Sequence, residues 1–133
     1  MFELPSALGF ALVAPGDPIW RELNQLKLEH HQLLVDIETR FQDFSDLNNR
    51  FHRLVNAVSP NRFIDDFYDI ITFIFHYHYQ WSKRDERQRN ETAIREHLAY
   101  IEALVGRDRH IIEAACRHHL ASGKTTLLRT RFS

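Results

Sequence analysis

Histidine is the residue type with the most chemical meaning in this chain, because its neutral imidazole binds transition metals and its charge changes near neutral pH. The sequence contains nine histidines. In the stretch NNRFH, His52 follows Asn48 by four positions, so both side chains would leave the same flank of a helix. On helical wheels, His97 lies among the apolar residues of a later helix, and His119 lies near the middle of the apolar arc of the last one. Three helices are therefore predicted to direct one histidine each at an apolar interior or its edge.

Three buried imidazoles without partners would cost a small domain much of its stability. A divalent cation satisfies all three at once, and Asn48 could add an oxygen ligand or hold a metal-bound water. Neutral imidazoles suit zinc, nickel, copper or iron, and ligands without a thiolate leave the identity open; zinc or nickel is the first expectation. The alternative is that each is an ordinary core histidine bound to a carboxylate or a carbonyl. His78 also faces inward and is interpreted as pocket-lining or core. Five others are expected at the surface or rim: His30, His31, His76, His110 and His118.

The elements that would position these residues are all helical. There are only four glycines and four prolines, and no stretch shows sustained strand alternation with hairpin turns. Capping residues, together with the glycines and prolines that end helices, predict helices at about residues 5–13, 18–40, 45–58, 61–81, 90–106 and 108–123. Asp17, Asn90 and Asp108 are the expected caps of the second, fifth and sixth. We predict one all-α domain over residues 1–133, an antiparallel bundle of about six helices with a basic tail at 124–133.

Composition excludes several classes of function. The formal net charge is −1, so there is no overall basic field of the kind that drives nonspecific DNA binding. One cysteine cannot form an internal disulfide or a cysteine-rich zinc module. The longest apolar runs are far shorter than the roughly 20 residues that span a bilayer. A soluble, cytoplasmic protein that makes no membrane contact is predicted.

Three stretches carry a recognisable set of motifs in order: NNRFHRLVNAVSPN, REHLAYIEALVGRD, and a final helix in which His-Leu follows an aspartate by eleven residues. The matching positions are Asn48, Phe51, His52 and Asn61 in the first stretch, Glu96, His97, Ala103 and Asp108 in the second, and His119 with Leu120 in the third. Together they resemble the FCD effector-binding domain of GntR-type bacterial transcription regulators of the FadR subfamily.

The resemblance implies a divalent metal in the centre of the bundle, with a small carboxylate bound to it. The metal ligands it implies are Asn48, His52, His97 and His119. Many members have Asp at this position. The neutral amide of Asn48 should therefore bind the metal more weakly than their carboxylate does. Arg89, eight residues before His97, stands where the family often has an arginine near the pocket. Arg89 and His78 are the two candidate ligand-binding residues. Pro5 stands where an arginine of the family's opening E-x-R pattern is expected.

The resulting prediction is a metal-dependent sensing domain for an organic acid, belonging to a GntR-type transcription regulator and not to an enzyme. A homodimer is expected, with DNA bound through a winged helix-turn-helix domain that this chain lacks. Two alternatives stay open. One is a standalone metal-dependent enzyme of hydrolase type, and Glu96 is then the carboxylate adjacent to a ligand, although no H-E-x-x-H pattern is present. The other is a structural helical bundle.

Overall fold

A computed structural model describes residues 3–58 and 83–119, and every regular element within them is a helix. The α-helices are α1 (Leu4–Gly9), α2 (Ile19–Val35), α3 (Ile37–Arg40), α4 (Phe44–Asn56), α5 (Lys83–Gly106) and α6 (residues 109–119). Two 3-10 turns accompany them, at Phe10–Leu12 and Phe41–Asp43. The predicted all-α bundle is confirmed. The predicted helix at 61–81, with His76 and His78, and the basic tail lie outside the described residues.

Side-chain caps begin two of the helices as predicted. Oδ1 of Asp17 accepts a hydrogen bond from the backbone N–H of Ile19 at 2.9 Å. Oδ1 of Asp108 accepts from the N–H groups of His110 and Ile111, at 2.9 and 3.3 Å. Each aspartate therefore satisfies amides that have no partner within their own helix.

The turn between α5 and α6 uses a left-handed residue that is not glycine. α5 ends at Gly106 as predicted, but the positive φ, 61°, belongs to Arg107. A left-handed conformation costs a non-glycine residue roughly 1–2 kcal/mol. Nη2 of Arg107 donates to the carbonyl oxygen of Ala11 at 3.2 Å, which helps to hold this turn against the start of the chain.

Two predicted helix boundaries were wrong. The helix predicted at 18–40 is divided at Asp36, which adopts φ −97° and ψ 17° between α2 and α3. The fifth helix was predicted to begin at Asn90, yet α5 is already helical from Lys83. Asn90 is consequently inside the helix and not its cap. Its side chain is buried and donates from Nδ2 to the carbonyl oxygen of Phe41 at 2.8 Å. Tertiary contact explains why this polar residue lies within a helix.

The core forms where α2 packs against α4 and α5, and α6 contributes two residues to it. Leu28 lies off the apolar stripe of α2 and is 55% exposed. The buried apolar residues of these four helices are Leu23, Leu26 and Leu33; Phe44, Leu47, Phe51 and Val55; Ile94, Tyr100, Ile101, Ala103 and Leu104; and Ile112 and Cys116. No helix in the described ranges is long and apolar enough to cross a membrane.

Candidate metal centre

The three histidines singled out from the sequence meet at one point inside the bundle. His52 comes from α4, His97 from α5 and His119 from α6, and one ring nitrogen of each lies within 4.8 Å of the other two. Nε2 of His119 is 3.1 Å from Nε2 of His52 and 3.2 Å from Nε2 of His97. His97 is fully buried and His52 almost so, whereas His119 lies at the rim. The helical wheel placed His97 correctly inside the core, whereas His119 was expected near the middle of the apolar arc and lies at its rim.

The outer nitrogen of His97 contacts a fourth histidine. His30 on α2 places Nδ1 2.7 Å from the carbonyl oxygen of Leu26, and Nε2 2.8 Å from Nδ1 of His97. A carbonyl oxygen only accepts, so Nδ1 of His30 carries the proton and its Nε2 is an acceptor. Nδ1 of His97 must then be the donor in the bond between the two rings. The proton of His97 is thereby assigned to Nδ1, on the side away from the cluster.

Carboxylates are the partners of the outer nitrogens of His52 and His119. Nδ1 of His52 donates to Oε2 of Glu3 at 2.8 Å, and Nδ1 of His119 donates to Oε1 of Glu96 at 3.3 Å. A carboxylate accepts hydrogen bonds, so both protons are assigned to the outer nitrogens. When the three rings are neutral, their Nε2 atoms are acceptor nitrogens that face one another without a proton between them. Nitrogen lone pairs at these separations repel each other, and a cation between them removes the repulsion.

Burial favours the neutral, metal-binding form of two imidazoles of the cluster, His97 and His119. It lowers the pKa of His97 well below its ordinary value, with the neighbouring histidines adding to the effect. Burial also lowers the pKa of His119, against the opposing influence of Glu96. The pKa of His30 falls to about 4 for the same principal reason. At neutral pH the inner nitrogens of His97 and His119 are therefore available as ligands without prior loss of a proton.

Acidification of metal-free protein should reduce its stability between about pH 6.5 and pH 4. The pKa of His30 is lowered from 6.5 to about 4, so over this range the unfolded chain binds the proton that the folded chain rejects. The stability is complete above pH 6.5 and is lost as the pH falls toward 4. His30 alone accounts for a loss of about 3 kcal/mol, and His97, which packs against it, adds in the same direction.

Denaturant unfolding of chelator-treated protein at several pH values measures this loss. His30→Gln should show a shallower dependence, and an equal dependence in the two proteins would contradict the assignment.

Two residues around the cluster were missed or misplaced at the level of sequence. His30 was expected at the surface and is fully buried. The signal was present, since His30 follows Leu26 by four and precedes Leu33 by three, which places it on the apolar stripe of α2. Glu3 is also buried, although it precedes α1 in an otherwise apolar stretch. A lone carboxylate in such a stretch is a signal for a buried partner elsewhere in the fold.

Comparison with known proteins identifies the family. The model of the FCD domain family matches residues 10–122 of this chain. The chain belongs to the FCD domain family. A protein described as the probable HTH-type transcriptional regulator LgoR of Escherichia coli (strain K12) is 38% identical to it over 131 residues, which are 98% of this chain and 43% of that protein. This FCD domain therefore spans less than half the length of that relative. No solved structure matches it.

The other predicted site residues of this FCD domain are less completely placed. Asn48 is half-buried on α4, one turn before His52, so its side chain leaves the helix on the same flank. Arg89 lies on α5, about 12 Å along the helix axis from His97 at 1.5 Å per residue. Burial lowers the pKa of Arg89 to about 10, so its guanidinium is still charged at neutral pH. His78 lies outside the described residues.

Proposed function

We propose that this FCD domain binds a small carboxylate through a divalent metal held by His52, His97 and His119, with Asn48 as a fourth ligand. The single observation that carries the proposal is the convergence of three imidazoles whose protons are all assigned to their outer nitrogens. A structural core histidine needs partners for its two nitrogens, but it has no need to face two other acceptors. That arrangement is typical of metal ligands, whose outer N–H groups are held by carboxylates or other acceptors.

The spacing of the inner nitrogens supports a common metal ion. Two nitrogens bound tetrahedrally to one zinc ion at about 2.0–2.1 Å are about 3.3 Å apart. The separations of Nε2 of His119 from the other two Nε2 atoms, 3.1 and 3.2 Å, are close to this value. The buried Cys116 is not among the side chains that converge at this point. Nitrogen donors without a thiolate suit zinc or nickel.

A carboxylate is the ligand that this set of residues favours. The proposed ligands, three imidazoles and one amide, are all neutral, so a divalent ion bound among them would keep its full positive charge. The bound metal supplies a Lewis acid with positions open to an anionic oxygen. Arg89 and His78 are the proposed contacts for the remainder of the effector, with a guanidinium suited to a second carboxylate.

The biological context of this proposal is transcription regulation. The similar E. coli protein is described as an HTH-type regulator and is more than twice as long as the matched region. We infer that the effector alters the conformation of the bundle in a homodimeric, cytoplasmic GntR-type regulator, and that a helix-turn-helix domain outside this chain binds the DNA. The position of Glu96 favours this function over hydrolysis. Its carboxylate lies 3.3 Å from the outer nitrogen of His119, where it orients a ligand, whereas a general base must reach the reacting water.

A thermal-shift screen with small mono- and dicarboxylates tests the sensing function. Zinc-loaded or nickel-loaded protein should be stabilised by one class of acid, by several degrees, because an effector at about 100 times its Kd contributes about 2.7 kcal/mol. Chelator-treated protein should show no such shift. The uncharged amides of the same acids serve as matched controls. Equal shifts with and without metal would argue against binding at the metal, and turnover of any acid in the screen would favour the enzyme.

A further inference from the structure

Glu3 holds an unusual position for a carboxylate. It is 1% exposed, and its two oxygens accept hydrogen bonds from two different helices. Nδ1 of His52 on α4 donates to Oε2 at 2.8 Å, and the hydroxyl of Tyr100 on α5 donates to Oε1, also at 2.8 Å. The residue lies immediately before α1. A charged group this deeply buried is costly to the fold unless a positive charge compensates it.

A cation bound at the histidine cluster would add a positive charge close to this carboxylate. Tyr100 is a neutral donor, since burial and the adjacent Glu3 raise the pKa of its hydroxyl. On the far side of the His52 ring, Nε2 faces the other two histidines of the cluster. The ring of His52 would therefore separate Glu3 from a metal ion bound at the cluster.

We propose that Glu3 is a positioning residue of the metal centre, which fixes the ring and proton of His52 and supplies negative charge behind a neutral set of ligands. The inference rests on the proposed metal site. Glu96 adds a second carboxylate behind His119, but its side chain is 14% exposed and its hydrogen bond is longer, 3.3 Å against 2.8 Å. Glu3 is therefore the stronger of the two counter-charges, because water screens it less.

The same contact joins the metal centre to α1. A bound ion should strengthen the hydrogen bond between His52 and Glu3. Metal binding should therefore hold α1 more firmly against α4. A second, uncharged contact joins the same two helices, since the buried hydroxyl of Ser6 donates to the carbonyl oxygen of Val55 at 2.6 Å. Ser6 supplies a matched control, because its loss should loosen α1 without changing the charge or the proton position of His52.

The test compares zinc affinity in wild type, Glu3→Gln and Ser6→Ala by competition with a chromophoric chelator. Glu3→Gln should weaken zinc binding about 10–100-fold, as is usual when an outer partner of a metal ligand is removed. Ser6→Ala should bind zinc as wild type does. Hydrogen exchange provides a readout other than affinity: zinc should increase protection of the α1 amides in wild type and Ser6→Ala, but much less in Glu3→Gln.

The outcomes distinguish the role of Glu3 from the existence of the metal site. If wild type binds no zinc or nickel, the metal site itself is wrong. If wild type binds zinc and Glu3→Gln binds it equally well, only the role of Glu3 is overturned. Equal weakening in Glu3→Gln and Ser6→Ala would mean that docking of α1 matters and the carboxylate does not. Should Glu3→Gln fail to fold, Tyr100→Phe removes one donor that orients Glu3 and should weaken zinc binding by less than about tenfold. Unchanged affinity in that variant would also overturn the role.

Discussion

Replacing His119 or His97 by alanine is expected to abolish stoichiometric metal binding. Each substitution removes one of the three converging Nε2 atoms. Loss of an outer partner alone costs about 10–100-fold in metal affinity, so loss of a ligand should cost more than about 100-fold. Elemental analysis of protein purified without an affinity tag measures the effect, with about one metal per chain expected in wild type.

His119→Ala is the more informative of the two variants. His119 lies at the rim, whereas His97 is fully buried and packs on Phe51, with ring centroids 4.4 Å apart. A fold that survives in His119→Ala while metal is lost assigns the loss to coordination and not to unfolding. The exposed His110 offers a matched control, since His110→Ala should retain the metal. Full metal content in His119→Ala would contradict the proposed centre, as would wild-type protein purified without metal.

Phe51→Ala is expected to lower the free energy of unfolding by about 3–5 kcal/mol, the range for a large aromatic residue removed from a core. Phe51 is fully buried and packs among three other rings of α4 and α5. Its ring centroid is 4.4 Å from that of His97, 5.2 Å from that of His52 and 5.5 Å from that of Tyr100. The variant would leave a cavity directly beside two proposed metal ligands.

Denaturant unfolding of chelator-treated protein isolates this packing effect, because metal binding then makes no contribution to stability. Leu28→Ala is a suitable control, since Leu28 is 55% exposed and its truncation should change the free energy by less than about 0.5 kcal/mol. A change of similar size in both variants would show that Phe51 is not the centre of the core. If metal is then added, Phe51→Ala should also bind it more weakly, because the rings of His52 and His97 lose the surface that orients them.

Much of the helical architecture could be predicted because it depends on near neighbours along the chain. Asp17 and Asp108 were identified as caps because a cap bonds to amides two or three residues away. The boundary at Asn90 was wrong because its side-chain Nδ2 donates to the carbonyl oxygen of Phe41, 49 residues distant. No local pattern reports such a bond. The division of α2 from α3 at Asp36 was missed for want of a glycine or proline to mark it.

The sequence by itself determined which faces of the helices carry His52, His97 and His119, because helical periodicity depends only on local spacing. Their agreement with three ordered motifs then indicated the family. Only the tertiary structure decided where each imidazole carries its proton. That assignment requires the partners of the outer nitrogens, and two of these, Glu3 for His52 and His30 for His97, lie 49 and 67 residues away along the chain. Periodicity can place a histidine toward the core, but a ligand is distinguished from an ordinary core histidine by the hydrogen bond on its far side, which forms only when separate helices pack together.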